Sequence, residues 1–182
     1  MLFVPFVADF DIEQMEFTNS NKEDFDEIFR LYAAAIEFQK AKFHRAWLPF
    51  DRAMIECEIA EKRNWKFVID GKIVCIYSVT FEDPFIWKEK SLEPAIYIHR
   101  IVTNPEFRGR KFVPKITGWA HEYAKSLGKK FIRMDTWGDN QKLLDYYVEC
   151  GFEFLGVITP TASADLPPHY EGITLSLFEI KL

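Results

Sequence analysis

The segment from residue 95 to 136 limits the fold most, because a strand, a helix and a second strand follow one another within it. The run "AIYIHRIVT" is β-branched, "VPKITGWAHEYAKSLG" has apolar residues at helical spacing, and "KKFIRMDTW" again favours a strand. Pro114 suits the first turn of the helix and Gly128 suits its end. Two strands joined in this way lie parallel in one sheet, with a right-handed crossover.

The chain before this segment predicts two helices and a hairpin. "SNKEDFDEIFRLYAAAIEFQKAKF" has helical periodicity, and Ser20 is expected to form a capping box with Glu23. A second helix is predicted from about residue 51 to 62, with Asp51 as its N-cap. "WKFVI" and "KIVCIYSVTF" are strand-like and flank an Asp-Gly dipeptide at 70–71, which is typical of a tight hairpin turn.

The chain after this segment predicts one more helix and two strands. "DNQKLLDYYVECG" is helical, "FEFLGVI" and "ITLSLFEIKL" are strand-like, and residues 159–171 have the Pro-rich composition of a loop. The complete order predicts an α/β sandwich that has a mixed sheet with helices on both faces. We expect residues 1–182 to form one domain.

The bulk composition excludes several kinds of protein. The chain has 182 residues, 48% of them hydrophobic, which is enough for one domain with a substantial core. Its net charge of −5 argues against nucleic acid or a membrane surface as a partner. The three cysteines lack metal-ligand spacing, so we expect neither a metal site nor a disulfide framework. No stretch resembles a signal peptide or spans a bilayer, so we expect a cytoplasmic protein.

A basic turn, "NPEFRGRKFVPKI", precedes the helix of the crossover. A helix N-terminus offers free N–H groups and partial positive charge to an anion, and Arg108, Arg110 and Lys111 add cationic side chains. Glycines would allow closer approach of a phosphate, yet only Gly109 is present. The turn is therefore either a phosphate site or an ordinary solvated turn.

Residues 95 to about 156 together resemble the GNAT superfamily of acyl-CoA-dependent N-acetyltransferases. The positions that match its pattern, in chain order, are Pro105, Arg108, Gly109, Asn140, Tyr147, Gly151 and Phe152. Three positions depart from the small residues of that pattern, namely Lys111, Val113 and Leu143. The resemblance implies a mixed, mostly antiparallel sheet with a central parallel pair of strands that splay apart.

The resemblance also implies that acetyl-CoA binds where those two strands separate. The backbone of residues 101–103 would pair with the pantetheine arm, and the amides of the basic turn would hold the pyrophosphate. The residues implied to bind the cofactor are Ile101, Val102, Thr103, Arg108, Gly109, Arg110, Lys111, Phe112, Val113, Asn140 and Tyr147. Because Pro114 offers no N–H and two side chains are bulky, we expect pyrophosphate binding with an altered shape.

Two residues are candidates for acid–base chemistry. Tyr147 stands at the family's tyrosine position and would protonate the departing thiolate, although it also lies on an apolar helix stripe typical of a core tyrosine. His99 is a candidate base, or else a hydrogen-bonded core histidine. Strand alternation places His99 on one face with Tyr97 and Ile101. Glu37, Glu82 and Asp83 are further base candidates from segments that usually wall the acceptor site.

The acceptor would be recognised by segments that match no motif. Aromatic and acidic side chains suit a small cationic amine through cation–π contacts and ion pairs. The candidates are His44, Trp47, Asp83, Trp87 and His169. Taken singly, each of the two tryptophans is better interpreted as a cover for apolar surface. Cys150 is interpreted as a packed small residue rather than a nucleophile.

We therefore predict an N-acetyltransferase that transfers an acetyl group from acetyl-CoA to a primary amine by direct attack in a ternary complex. A small molecule or a peptide would supply the amine, and a homodimer is possible. The alternatives are a non-catalytic acyl-CoA-binding or protein-interaction module on the same fold, and the same scaffold with another acyl donor.

Overall fold

A computed structural model describes residues 14–138, 140–160 and 172–182. The strands in it are β1 (Met15–Asn19), β2 (Asn64–Ile69), β3 (Lys72–Thr80), β4 (Ala95–Thr103), β5 (Phe131–Trp137), β6 (Glu153–Ile158) and β7 (Leu175–Lys181). The α-helices are α1 (Phe25–Lys42), α2 (Arg52–Ala60), α3 (Pro84–Trp87), α4 (Val113–Ser126) and α5 (Gln141–Glu149). Much of the predicted loop at residues 159–171 lies outside the described residues.

The seven strands form one mixed sheet in the order β1-β2-β3-β4-β5-β7-β6. All neighbouring strands pair antiparallel except β4 and β5, which are parallel, as the crossover pattern and the family resemblance predicted. Strand β1 was not predicted, because five residues between polar neighbours carry little periodic signal.

The parallel pair separates part-way along its length. Only residues 95–97 of β4 pair with β5, and the last pair joins Tyr97 to Arg133, although both strands continue beyond it. The strand edges past this point diverge, as the resemblance implied. A sheet that opens in its middle exposes backbone groups that would otherwise bond to each other.

A buried arginine marks the point where the strands part. The guanidinium of Arg133 is fully buried and donates to the hydroxyl of Tyr97 at 3.0 Å and to a carboxylate oxygen of Glu179 at 2.7 Å. It also pairs with Glu93. Since a buried charge needs partners to offset its lost hydration, this network fixes β4, β5 and β7 relative to one another.

A bulge in β4 changes which side chains share a face. Ser78 of β3 pairs with His99, whereas Ile76 pairs with Val102, so β4 contains one extra residue between these two pairs. Arg100 lies in this interval and has a φ of 52°. Ile101 therefore packs with the α4 side, while Val102 packs with the α1 side. The prediction that Ile101 shares a face with Tyr97 and His99 is wrong, because simple alternation does not cross a bulge.

Helices cover both faces of the sheet, as predicted. The apolar faces of α1 and α2 pack on one side around Ile28, Leu31 and Ile55, all fully buried. Helix α4 packs on the other side through Ile116 and Ala120, and α5 joins it there through Tyr147. The apolar stripes read from the sequence thus face the sheet.

The predicted ends of the helices are mostly correct. Asp51 caps α2 by accepting from the backbone N–H of Ala53 at 2.9 Å, and Pro114 lies in the first turn of α4. The predicted capping box of Ser20 and Glu23 is wrong by one residue. Asn21 and Asp24 form it instead, at the start of a short 3-10 turn that leads into α1.

Candidate active site

A cavity of about 590 Å³ opens where β4 and β5 diverge. Its walls come from the divergent ends of these two strands, from the end of β3, from α1 and α2, and from the first turns of α5. Because the cavity begins at the separated strand edges, it brings backbone hydrogen-bonding groups and side chains of several elements to one place.

One end of the cavity carries residues implied to bind the cofactor. Ile101, Val102 and Thr103 line it, and so does Arg108. The Arg108 guanidinium carbon lies 4.2 Å from the centroid of the Phe38 ring, so α1 contacts the basic turn. The sequence placed Arg108 in the turn but gave no signal for this contact.

The basic turn has an unusual backbone. Gly109 has a φ of 82° and Lys111 a φ of 50°, so both lie in the left-handed region that favours glycine. Lys111 and Arg110 are exposed. Phe112 and Val113 are buried and belong to the core, with Phe112 edge-on to Phe67 at 5.4 Å. The side chains of residues 112 and 113 are therefore not available to a ligand.

Helix α5 and its N-cap supply three cavity residues, Asn140, Leu143 and Tyr147. Asn140 caps the helix, since its side-chain oxygen accepts from the backbone N–H of Leu143 at 3.2 Å. Tyr147 is 8% exposed and lines the cavity about two helical turns after Asn140. Burial, together with neighbouring ionisable groups of which Tyr146 is the first, raises the pKa of Tyr147 well above its usual value. The phenol therefore keeps its proton at neutral pH.

His99 lines the cavity from β4 as a neutral side chain. Its Nε2 lies 3.0 Å from Oγ1 of Thr80, whose single proton is donated to the carbonyl of Glu82 at 3.1 Å. The Thr80 oxygen therefore accepts from Nε2–H, which makes Nδ1 the acceptor nitrogen. Burial, and then the charges of Arg100 and Arg63, lower the pKa of His99 to about 3. A ring this weakly basic argues against the predicted role of His99 as the proton-accepting base.

Two carboxyl groups lie beside His99. One ligand atom each of Asp83, His99 and Asp135 lies within 4.8 Å of the others, and all three residues line the cavity. Burial raises the pKa of Asp83 to about 6. Burial first, and the charge of Asp83 second, raise the pKa of Asp135 to about 7. The cavity thus holds titratable groups whose charge changes near neutral pH.

Of the remaining acceptor candidates, the structure places one in the cavity wall and others away from it. Trp47 lines the cavity, next to Phe50 at a ring distance of 5.6 Å. His44 is exposed and is not among the residues that line the cavity. Trp87 is 3% exposed and packs in the core against Tyr97, so the prediction that it contacts the acceptor is not supported. His169 lies outside the described residues.

Comparison with known proteins places this geometry in a family. Residues 22–152 match the model of the acetyltransferase (GNAT) family. The chain belongs to that family. Both the resemblance read from the sequence and the predicted fold class are thereby confirmed.

Two curated relatives share parts of this GNAT chain. The uncharacterized N-acetyltransferase YesJ of Bacillus subtilis (strain 168) is 30% identical over 74 residues, which are 41% of each chain. The uncharacterized N-acetyltransferase MJ1207 of Methanocaldococcus jannaschii is 26% identical over 145 residues, 74% of this chain and 59% of the relative. The chain therefore spans only about half the length of these relatives.

Solved GNAT structures share the fold over nearly the whole chain. An acetyltransferase from Listeria monocytogenes 4b F2365 superposes with a TM-score of 0.74 at 20% identity, covering 92% of this chain and 95% of its own. The Drosophila melanogaster polyamine N-acetyltransferase gives a TM-score of 0.66 at 11% identity, with 93% and 100% covered. The yncA protein of Salmonella typhimurium, solved with acetyl-CoA, gives a TM-score of 0.64 at 12% identity. The match covers 92% of this chain and 93% of the yncA chain.

The sequence-based predictions did not include Asp135, although the sequence contains a signal for it. In "FIRMDTW" it is the only carboxylate, and it lies near the carboxyl end of the second parallel strand. Ligands of α/β sheets bind at that end, so a lone acid there is a candidate site residue. Ser78 and Thr80 had no such signal, because hydroxyl residues are common on strands.

In the part of the chain that the structure describes, no helix has both the length and the apolar character needed to cross a membrane.

Proposed function

We propose that this GNAT protein is an acetyl-CoA-dependent N-acetyltransferase that acts on a primary amine by direct attack in a ternary complex. The observation that carries the proposal is the parting of β4 from β5 after the Tyr97–Arg133 pair, directly beside the cavity. Backbone groups of β4 beyond residue 97 are then available to hold the donor as an added strand would be held.

The residues around this opening fit acetyl-CoA. Arg108 at one end supplies a cation that can bond phosphate oxygens. The left-handed backbone at Gly109 and Lys111 is of the kind that lets successive amides face one anion. A bound acetyl-CoA supplies an activated acyl carbon and a thiolate leaving group. Backbone N–H groups of β4 past the bulge are the candidate donors to the oxyanion that forms.

Tyr147 is the proposed acid. It is buried in the cavity wall and its raised pKa keeps it protonated, as a donor to the departing sulfur requires. Its ring also packs against Phe178 at 5.4 Å, which holds the phenol in a fixed orientation. The proton that the nitrogen loses when the tetrahedral intermediate collapses restores the phenol.

The acceptor is proposed to be a small amine that is cationic in solution. The cavity combines carboxyl groups with aromatic walls that include Trp47, Phe50 and Trp137. Such walls favour an alkylammonium over an anionic or strongly polar molecule. Two structural neighbours act on compounds of this kind, an agmatine N-acetyltransferase and the Drosophila polyamine enzyme.

Calorimetric titration with acetyl-CoA, free CoA, desulfo-CoA and a longer acyl-CoA tests the donor site. We expect micromolar binding of acetyl-CoA, followed by acetylation of at least one member of a panel of primary amines. Binding without turnover of any amine would favour a non-catalytic acyl-CoA-binding module. The absence of binding by folded protein would overturn the proposal, and stronger binding of a longer acyl-CoA would indicate another donor.

A further inference from the structure

We propose that Asp83, His99 and Asp135 form the binding site for the protonated primary amine, and that the Asp83–Asp135 pair takes its proton. The assignment rests on the proposed function and names the residues that receive the amine. It replaces His99 as the base with two carboxyl groups, and leaves the histidine as a neutral hydrogen-bond acceptor.

Three separate elements fix the cluster. Asp83 is held at the start of α3, where its side chain accepts from the N–H of Ile86 at 3.3 Å and its own N–H donates to Ser91 at 2.7 Å. His99 is fixed by Thr80, and Asp135 projects from β5 on the same face as Arg133. Because the fold places the three residues on separate elements that meet here, the spacing within 4.8 Å exists before any ligand arrives.

A second observation points to a polar ligand in the same cavity. Ser78, which faces His99 across the β3–β4 pairing, is fully buried and lines the cavity, yet its hydroxyl has no hydrogen-bond partner among the described residues. Glu58 is 4% exposed and also lines the cavity with one unpartnered carboxylate oxygen. Buried polar atoms are normally paired, so these two await donors such as the N–H groups of an amine.

The surrounding charges favour a monovalent cation. The other charged groups nearby are engaged in ion pairs, since Arg133 pairs with Glu93 and Glu179, and Arg100 pairs with Glu58. Glu82 is exposed at the cavity wall, and His99 is neutral. Two close carboxyl groups do not both ionise readily, so near neutral pH the pair holds about one proton and one negative charge. This charge matches one ammonium better than a divalent metal ion.

The proton balance closes without another reactant. The ionised member of the pair accepts one proton from the ammonium, and the neutral nitrogen forms a bond to the acyl carbon of the thioester. The carbon–sulfur bond then breaks, the sulfur receives the Tyr147 proton, and the nitrogen's second proton restores the phenol. The carboxyl group releases its proton to solvent, which leaves an amide, free CoA and one proton.

The proposal is tested in two arms on the full chain. In the first arm, carboxyl-carbon NMR of the labelled protein follows Asp83 and Asp135 during pH titration and during addition of butylammonium. We expect both groups to titrate near pH 6–7, butylammonium to shift both resonances, and Asp83→Asn to lower the pKa of Asp135. This arm needs no turnover, so it remains informative if no amine in the panel is acetylated.

The second arm measures kcat/KM against pH for the best amine of the panel. Asp135→Asn and Asp83→Asn are each expected to lower kcat/KM by about 100-fold and to remove its rise between pH 6 and 7, because a positioned base typically contributes factors of this size. Acetyl-CoA affinity should not change. Glu89→Gln, which alters an exposed carboxylate outside the cavity lining, is the matched control.

Three results would overturn the proposal. The first is that the wild-type enzyme is active and both Asp→Asn variants keep its kcat/KM within twofold and its pH profile. That result would leave the proposed acetyltransferase function intact. Another is carboxyl groups that titrate at ordinary values and do not respond to butylammonium. The third is tight, stoichiometric binding of Mn²⁺, with a chelator removing both the metal and the activity. That result would make the cluster a metal site.

Discussion

Arg108 and Phe38 connect the two halves of the candidate site. The guanidinium carbon of Arg108 lies 4.2 Å from the centroid of the Phe38 ring, and both residues line the cavity. Arg108 belongs to the basic turn, whereas Phe38 belongs to α1, a wall of the cavity. The ring therefore restricts where the guanidinium proposed to bind the pyrophosphate points.

Replacing Phe38 with alanine should weaken acetyl-CoA binding. A partly exposed cation–π contact contributes about 0.5–1 kcal/mol, so the dissociation constant should rise by about two- to fivefold. Calorimetry measures this. Phe81→Ala is a matched control, because Phe81 is similarly exposed but does not line the cavity. It also makes a cation–π contact, with Nζ of Lys129 lying 5.1 Å from its ring centroid. Equal affinities in wild type and Phe38→Ala would show that the contact does not orient Arg108.

Lys111 separates the effect of charge from that of backbone conformation. Its φ of 50° suits glycine, so Lys111→Gly should be more stable than Lys111→Ala by about 1 kcal/mol in chemical denaturation. Both variants remove the cation, so both should bind acetyl-CoA severalfold more weakly and with a smaller dependence on salt. If only the alanine variant bound weakly, backbone shape rather than charge would control the pyrophosphate site.

Tyr147→Phe should lower kcat while leaving acetyl-CoA binding nearly unchanged. The substitution removes a proton donor but keeps the ring that packs on Phe178, and loss of such a donor typically costs about 100-fold or more in rate. Tyr146→Phe is the neighbouring control, because Tyr146 does not line the cavity. Full activity of Tyr147→Phe would assign Tyr147 to the core alone.

Asp135→Asn should become more stable than wild type as pH rises. The folded-state pKa of Asp135 is raised to about 7 from an ordinary 3.8, so the folded protein binds more protons than the unfolded chain between these values. Wild-type stability therefore falls as pH increases from 4 to 7, by at most about 1.4 kcal/mol per pH unit from this group. The Asp135→Asn variant does not lose stability with pH at this position.

Thermal unfolding at pH 4, 6 and 8 measures this difference. The gap between Asp135→Asn and wild type should widen with pH and then level off above pH 7. Glu153→Gln, at an exposed position of β6, should follow the wild-type curve. A gap that is constant with pH would mean that the carboxyl group is not perturbed by folding.

The sequence determined the elements and the family. Periodicity, the Asp-Gly turn and the strand–helix–strand order gave the main helices and strands, since these signals depend on residues close together in the chain. The motif from Pro105 to Phe152 gave the GNAT resemblance for the same reason. It also indicated Arg108, Asn140 and Tyr147, which all line the cavity.

Only the tertiary structure decided which side chains meet. The bulge at Arg100 reverses the face of Ile101, and Trp87 is buried although its sequence suits a binding loop. The low pKa of His99 arises from burial and from arginines of its own strand and of the chain before β2. Asp83 and Asp135 are 52 residues apart in the sequence, and only the folded sheet brings their carboxyl groups together. Burial and charge proximity depend on contacts between distant segments, which local sequence patterns do not encode.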